Sequence, residues 1–316
     1  MVRAAAEGHA MRYDRDGFPI PPGFDAEPPS APRAAAPRTA GGPPRRGGKR
    51  AVLVAVALAL LGAIALPEAL PLVRHLVVNW SLERAAAREA RNDIGGAVAE
   101  LGRALRWHGP DADLLCSRAM LRLENQDAAG ALDDAEAAAA AAPLSPQPLR
   151  VRALVRVVLG DAVAALDDAE RVVSLATPGD PEALNFRAYV RALVGRDLPG
   201  ALADIEAAIT ATGEPSPELL DTRGYVLFLA GRTQEAIDQL NLAIDGMQQH
   251  RRRLALLAGR LDRDELARRM RTLDHGLAVM HHHRGLACEK AGLVEQAKQD
   301  FDLARRKGFD PSRGIM

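Results

Sequence analysis

The chain has 316 residues, with 41 Lys plus Arg balanced by 41 Asp plus Glu, 48% hydrophobic residues and only 3% aromatics. A formal net charge of zero excludes a whole-chain case for binding nucleic acid or another polyanion. The two cysteines, Cys116 and Cys288, exclude a disulfide framework and lack metal-ligand spacing, and an apolar content carried by Ala, Leu and Val predicts closely packed helices and an all-α fold.

Residues 1–50 are rich in Pro, Gly, Ala and Arg with little apolar periodicity, which predicts a disordered Pro/Arg-rich tail. They hold nine Lys or Arg against five Asp or Glu, so they carry +4 and the remainder −4. Residues 51–73 form a run of 23 residues in which Glu68 is the only charge. A helix of that length reaches about 34 Å against a hydrocarbon core of about 30 Å, so a single transmembrane helix is expected, acting as a signal anchor. Arg45, Arg46, Lys49 and Arg50 precede it and Arg74 follows. That asymmetry predicts a single-pass protein of the inner (cytoplasmic) membrane, N-terminus in the cytoplasm and the rest on the extracytoplasmic side. Ala63-Ile64-Ala65 resembles a small-residue cleavage site, so a secreted or periplasmic product after signal cleavage is the alternative, although a 50-residue leader exceeds an ordinary signal n-region. Trp80 suits either the outer interface of the bilayer or a helix contact in the first repeat.

From residue 80 onward one pattern recurs six times. A small residue is followed seven positions later by a turn residue, then five later by Ala, four later by a core residue and three later by a small or apolar one. The fifth copy reads Gly224, Gly231, Ala236, Leu240 and Ala243, and the sixth Gly285, Gly292, Ala297, Phe301 and Ala304. In the first four copies the turn positions are Asn92, Gln126, Gly160 and Gly195. The central alanines, 97, 131, 165, 201, 236 and 297, step by 34, 34, 36, 35 and 61. Small residues at fixed phase are what two closely approaching helices require.

This skeleton resembles the tetratricopeptide repeat family, whose unit is a 34-residue pair of antiparallel helices. The resemblance covers roughly residues 80–310 and departs from the family in its mostly missing first-helix Trp and Tyr. It implies an α-solenoid, a right-handed superhelix of about six helical hairpins within 80–316, at approximately 78–110, 112–145, 146–180, 181–215, 217–250 and 278–310. It also places Met120, Leu123, Leu154, Val157, Tyr189, Leu193, Tyr225 and Phe228 along a concave, partner-binding groove suited to an extended or helical peptide.

An Arg precedes every small residue: Arg84, Arg118, Arg152, Arg187, Arg223 and Arg284. On the second helix, sixteen or seventeen positions later, stand Glu100, Asp134, Asp168, Asp204 and Asp300, with Asp238 one place early in the fifth copy. The phase predicts an ion pair within each hairpin, which an exchange of Arg152 and Asp168 should preserve. Arg88, Arg122, Arg156 and Arg191 lie one turn further on, as a ridge paired to neighbouring acids or as a strip for an acidic partner.

The step of 61 marks an insertion of about 27 residues. Leu266, Met270, Leu273, Leu277 and Met280 recur at coiled-coil spacing opposite Leu240, Ile244, Met247 and Leu254, with Gly259 and Asp262 or Asp264 marking the turn. A long helical hairpin over 251–277 is expected, its basic faces carrying the contact candidates Arg251, Arg252, Arg253, Arg260, Arg268 and Arg269.

No phosphate-binding glycine loop, nucleophile elbow or zinc helix occurs in the sequence. His281, His282 and His283 point about 100° apart on a helix and cannot converge on one ion. No catalytic, cofactor or metal residue is therefore assigned. The expected function is a membrane-tethered, non-catalytic scaffold for protein–protein interaction or complex assembly, with a protein or peptide partner, membrane contact through one helix and no nucleic acid. A chaperone-like accessory of secretion or envelope biogenesis, and a self-assembling structural protein, are the alternatives.

Overall fold

The computed structural model describes residues 70–309, except for the side chain at 264. The tail at 1–50, the run at 51–69 and residues 310–316 lie outside the described residues, so the expectations of a disordered tail and a membrane span fall almost wholly beyond them. Among the described residues no helix is long and apolar enough to cross a membrane.

Twelve helices occur among the described residues and no strand. They are α1 (70–89), α2 (Ile94–His108), α3 (Ala112–Glu124), α4 (Ala128–Ala141), α5 (Pro146–Val158), α6 (Ala162–Leu175), α7 (Pro181–Leu193), α8 (Leu198–Thr212), α9 (Pro217–Leu229), α10 (Thr233–Leu256), α11 (Arg263–Lys290) and α12 (Val294–Arg306). Each packs on its neighbours in chain order, so consecutive helices pair into hairpins and the hairpins stack.

Local chemistry sets the boundaries. Asp93, Asp111, Asp127, Asp161, Asp180 and Asp197 each cap a helix by accepting a backbone N–H three residues on, while Pro146, Pro181 and Pro217 occupy first turns where no N–H is needed. All six turn positions read from the sequence have positive φ, from 60° at Asn92 to 79° at Gly231. That region costs an L-residue about 1–2 kcal/mol, hence glycine at four of the six.

The small-residue skeleton is the helix contact. Ala97, Ala131, Ala165, Ala201 and Ala236 are wholly buried, and Ala297 nearly so. A Cβ on Gly224 would come within 2.6 Å of Leu240 Cγ, and one on Gly285 within 2.6 Å of Phe301 Cε1, so glycine there permits the close approach.

The charged ladder crosses the same contacts. Arg84 reaches Glu100 at 2.9 Å, Arg118 reaches Asp134 at 2.5 Å, Arg152 reaches Asp168 and Arg187 reaches Asp204 at 2.6 Å, and Arg284 reaches Asp300 at 2.7 Å. The acids are buried. The fifth hairpin differs from expectation: Arg223 bonds Gln239 at 3.3 Å and pairs with Glu206 of the preceding hairpin at 2.6 Å, while Asp238 faces Gln234. One helical residue rotates a side chain by about 100°, so Gln239, not Asp238, occupies the facing position.

The second arginine row is engaged by the same carboxylates. Arg122 lies 3.0 Å from Asp134, Arg156 2.7 Å from Asp168 and Arg191 2.9 Å from Asp204, while Arg88 lies 3.4 Å from Glu100. Asp134, Asp168 and Asp204 thus each bind two guanidiniums, Glu100 binds a third from Arg103, and Asp300 binds Arg284 and His281; the row is a paired ridge, not an open strip for an acidic partner.

The insertion lengthens α10 and α11. Ile244, Met247, Leu277 and Met280 form its buried seam with Leu220 and Ala243, and Leu273 packs against them. Asp262 caps the start of α11 through the Glu265 N–H.

Candidate protein-binding cleft

The first helix of each hairpin also touches the first helix of the next, α3 with α5, α5 with α7, α7 with α9 and α9 with α11, whereas no comparable contact joins α4 to α6 or α6 to α8. The first helices therefore line the inner, concave side. On that side α5, α7 and α9 form one wall of a cleft of about 810 Å³, and α11 forms the facing wall through Thr272, Leu273, His275, Gly276 and Val279. The inserted hairpin thus flanks one stretch of the groove.

The cleft floor is apolar with a few placed polar groups, the usual composition of a recognition site. Phe186, Leu219, Met247 and Val279 supply apolar surface, and Arg150 lies 5.4 Å over the Phe186 ring. Arg150 is 4.0 Å from Glu182, and Glu218 adds a second carboxylate at the rim. Asn185 Oδ1 is buried with no hydrogen-bond partner among the described residues. Burial, reinforced by the Asp221 carboxylate, pushes the Tyr189 phenol up, so it stays protonated and able to donate.

The wall beneath is set by two buried histidine–carboxylate pairs. His283 Nδ1 lies 3.0 Å from Asp221 and its ring stacks on Tyr225 with centroids 4.2 Å apart, while His281 Nδ1 lies 2.8 Å from Asp300. His282 turns instead to Phe301 and Phe309. The three consecutive histidines therefore face three environments, and among the described residues no cluster of three His, Cys, Asp or Glu could hold a metal ion.

The structure scatters the groove residues named from the sequence. Tyr189 lines the cleft. Met120 lines a separate hollow of about 500 Å³ between the first three hairpins, beside Cys116 and Val151. Leu123 is 1% exposed in the core of the second hairpin and offers no surface to a ligand, because α4 and α5 close over it. Val157 packs against the core of the third hairpin, and Leu154 and Leu193 are half-buried. Tyr225 lies under His283, and Phe228 lies 5.9 Å from the Lys290 ammonium.

Of the basic hairpin residues, Arg251 pairs with Asp274 at 2.9 Å, and Arg268 and Arg269 share Glu265 at 2.7 and 2.6 Å. Arg252, Arg253 and Arg260 are exposed. Sequence reasoning missed Arg150, Asn185 and Asp221, which all stand three residues before the repeat's small position, and the α11 wall. The first group repeats in phase and was available to a reader of the sequence, whereas the wall depends on how the insertion folds back.

The class that this fold and cleft define is a helical-hairpin solenoid with a flanked inner groove. No protein-family model matches the chain, and no curated protein does. Among solved structures it is similar to a tetratricopeptide repeat protein from Parabacteroides merdae, with a TM-score of 0.44 and 18% identity over 75% of this chain and 95% of that one. It is likewise similar to a thermophilic TPR protein of Thermus thermophilus, with a TM-score of 0.46 and 19% identity over 62% and 98% of the two chains. A third is YrrB, described as a TPR protein with an unusual peptide-binding site, with a TM-score of 0.35 and 15% identity over 67% and 94%. At these levels the fold rests on the helix pairing itself.

Proposed function

We propose that the chain is a membrane-tethered, non-catalytic scaffold of the tetratricopeptide kind that holds a segment of a partner protein between α7, α9 and α11. The observation that carries this reading is the cleft between α7, α9 and α11, with its apolar floor and acidic rim at Glu182 and Glu218. That combination favours an extended segment bearing apolar side chains and at least one cation. A photo-crosslinking residue at Phe186 should capture a partner in cells, while one at exposed Gln234 on α10 should not. Equal capture at both positions would remove the cleft from the account.

The tether is the apolar run 51–73, and its basic N-terminal flank supports a cytoplasmic N-terminus with the hairpin stack outside. Ser81 is wholly buried, so a thiol probe belongs on an exposed residue. With Cys116 and Cys288 replaced, a cysteine at Gln234 should label from outside the cytoplasmic membrane and one at Ser30 should not. The reverse pattern would invert the orientation, and a shortened chain that has lost residue 30 but still labels at 234 would indicate signal cleavage and a secreted product.

A further inference from the structure

One end of the first hairpin is apolar and uncovered. On α1, Leu72, Leu76 and Trp80 are 61%, 58% and 48% exposed, and their four-residue spacing puts them on one face. Leu70 and Val73 are exposed beside them. Among the described residues no other helix presents three exposed large apolar side chains a turn apart.

The antiparallel α2 brings its own end to the same place. Arg103 Cζ lies 5.4 Å over the Trp80 ring, and the Cβ position of Gly109 is 3.8 Å from Arg74 Nη2. Trp107, 42% exposed, therefore stands beside the start of α1, with Arg106 and His108 as its neighbours in sequence. The protein has only two tryptophans, and both lie half-exposed on this hairpin.

We propose that this end of the first hairpin packs against an anionic lipid surface. Leu72 and Leu76 enter the boundary of the acyl chains, Trp80 and Trp107 sit at headgroup level, and Arg74 and Arg106 meet lipid phosphates. The inference rests on the membrane tether at 51–73, whose last residues include Leu72, and extends its lipid contact to Leu76, Trp80 and Trp107. Three observations select lipid over a second protein. The 19 residues at 51–69, immediately before α1, are apolar apart from Glu68. Tryptophan has an apolar body and a polar N–H, which suits the membrane–water boundary. Arg74 and Arg106, which form no ion pair among the described residues, complement anionic headgroups.

The test uses the full chain reconstituted into vesicles of phosphatidylcholine and phosphatidylglycerol, as two single-tryptophan variants, Trp107→Phe and Trp80→Phe. Both substituted side chains are half-exposed, and helix content by circular dichroism checks folding. The chains should float with the vesicles, their emission should be blue-shifted, and brominated acyl chains should quench most of it in each variant. Flotation with emission at the water-exposed wavelength overturns the docking and leaves the tether standing. Flotation with a blue shift that brominated lipid does not quench assigns the face to a protein contact and also overturns it. Failure to float removes the tether, and this contact with it.

Discussion

Replacing Asp168 with alanine will lower the stability of the hairpin stack by about 3 kcal/mol, the size expected when one partner of a buried ion pair is removed. Asp168 is buried and accepts from Arg152 Nε and Nη2 at 3.0 and 2.6 Å and from Arg156 Nη1 at 2.7 Å. Its loss leaves two guanidiniums facing each other without a counter-charge. Their side chains are about one-fifth exposed, so water relieves part of the penalty, which is why the lower end of the usual range is expected. Asp167, exposed beside it, serves as the control, and its alanine variant should lie within about 0.5 kcal/mol of the parent. Urea midpoints read both. The ladder also changes the expectation for exchanging Arg152 and Asp168. A guanidinium at 168 would meet Arg156, so the exchange alone should stay unstable, and Arg156→Leu added to it should recover most of the loss. The fifth hairpin already carries leucine there, at Leu227. Full recovery by the simple exchange would remove Arg156 from the ladder.

Lowering the pH from about 7 to about 4 will destabilise the protein more than it destabilises His282→Phe, by about 1–3 kcal/mol. Burial, then the neighbouring His283, lowers His282 from 6.5 to about 4. The sign follows from proton uptake. Between those values the unfolded chain binds a proton that the folded chain refuses, so stability present at neutral pH is lost as pH falls through the window. The full linkage over that shift is about 3.4 kcal/mol, reduced because the ring is only part-buried. Phenylalanine keeps the ring packing, whose centroids lie 5.6 Å from Phe301 and 4.6 Å from Phe309. A second window lies lower. Burial alone would raise Asp300, but hydrogen bonds from His281 and Arg284 outweigh it and its pKa is depressed. Its contribution is therefore present above the unfolded carboxylate value of about 3.9 and is lost as pH falls through the folded value. Unfolding midpoints of the two proteins should run parallel above about pH 6.5 and below about pH 4 and diverge between them; parallel slopes throughout would contradict the assignment to His282.

The sequence carried the hairpins because their determinants are local. The alanine at each second-helix contact, the left-handed turn residue and the aspartate caps all sit at fixed distances along the chain, so phase alone locates them. The ion pairs were legible for the same reason, except where the fifth copy replaces the acid with Gln239. The candidate cleft was far less legible. Whether a first-helix residue faces the groove or the next hairpin depends on the angle between hairpins, which no local spacing encodes. Leu123 and Tyr189 illustrate this: the former is sealed in a core and the latter lines the cleft. The facing wall is a non-local consequence of the insertion, since Thr272 to Val279 meet α7 and α9 only after α11 folds back along the stack.

The buried histidines illustrate a different limit. His281 and His283 look like a run of metal-binding side chains in one dimension, yet each is consumed by a carboxylate on a different helix, Asp300 and Asp221. These pairs tie α11 to α12 and to α9, so the helix that walls the cleft is anchored on both sides.

The measurement that bears most directly on the account is a calorimetric titration of the intact chain with the partner segment crosslinked at Phe186, comparing the parent with the Glu182→Lys, Glu218→Lys double variant. Reversal of both rim charges should weaken binding at least about tenfold, equivalent to ~1.4 kcal/mol, while leaving the unfolding midpoint in place. Unchanged affinity in a folded double variant would show that the segment binds elsewhere on the stack and that the cleft is not the recognition site.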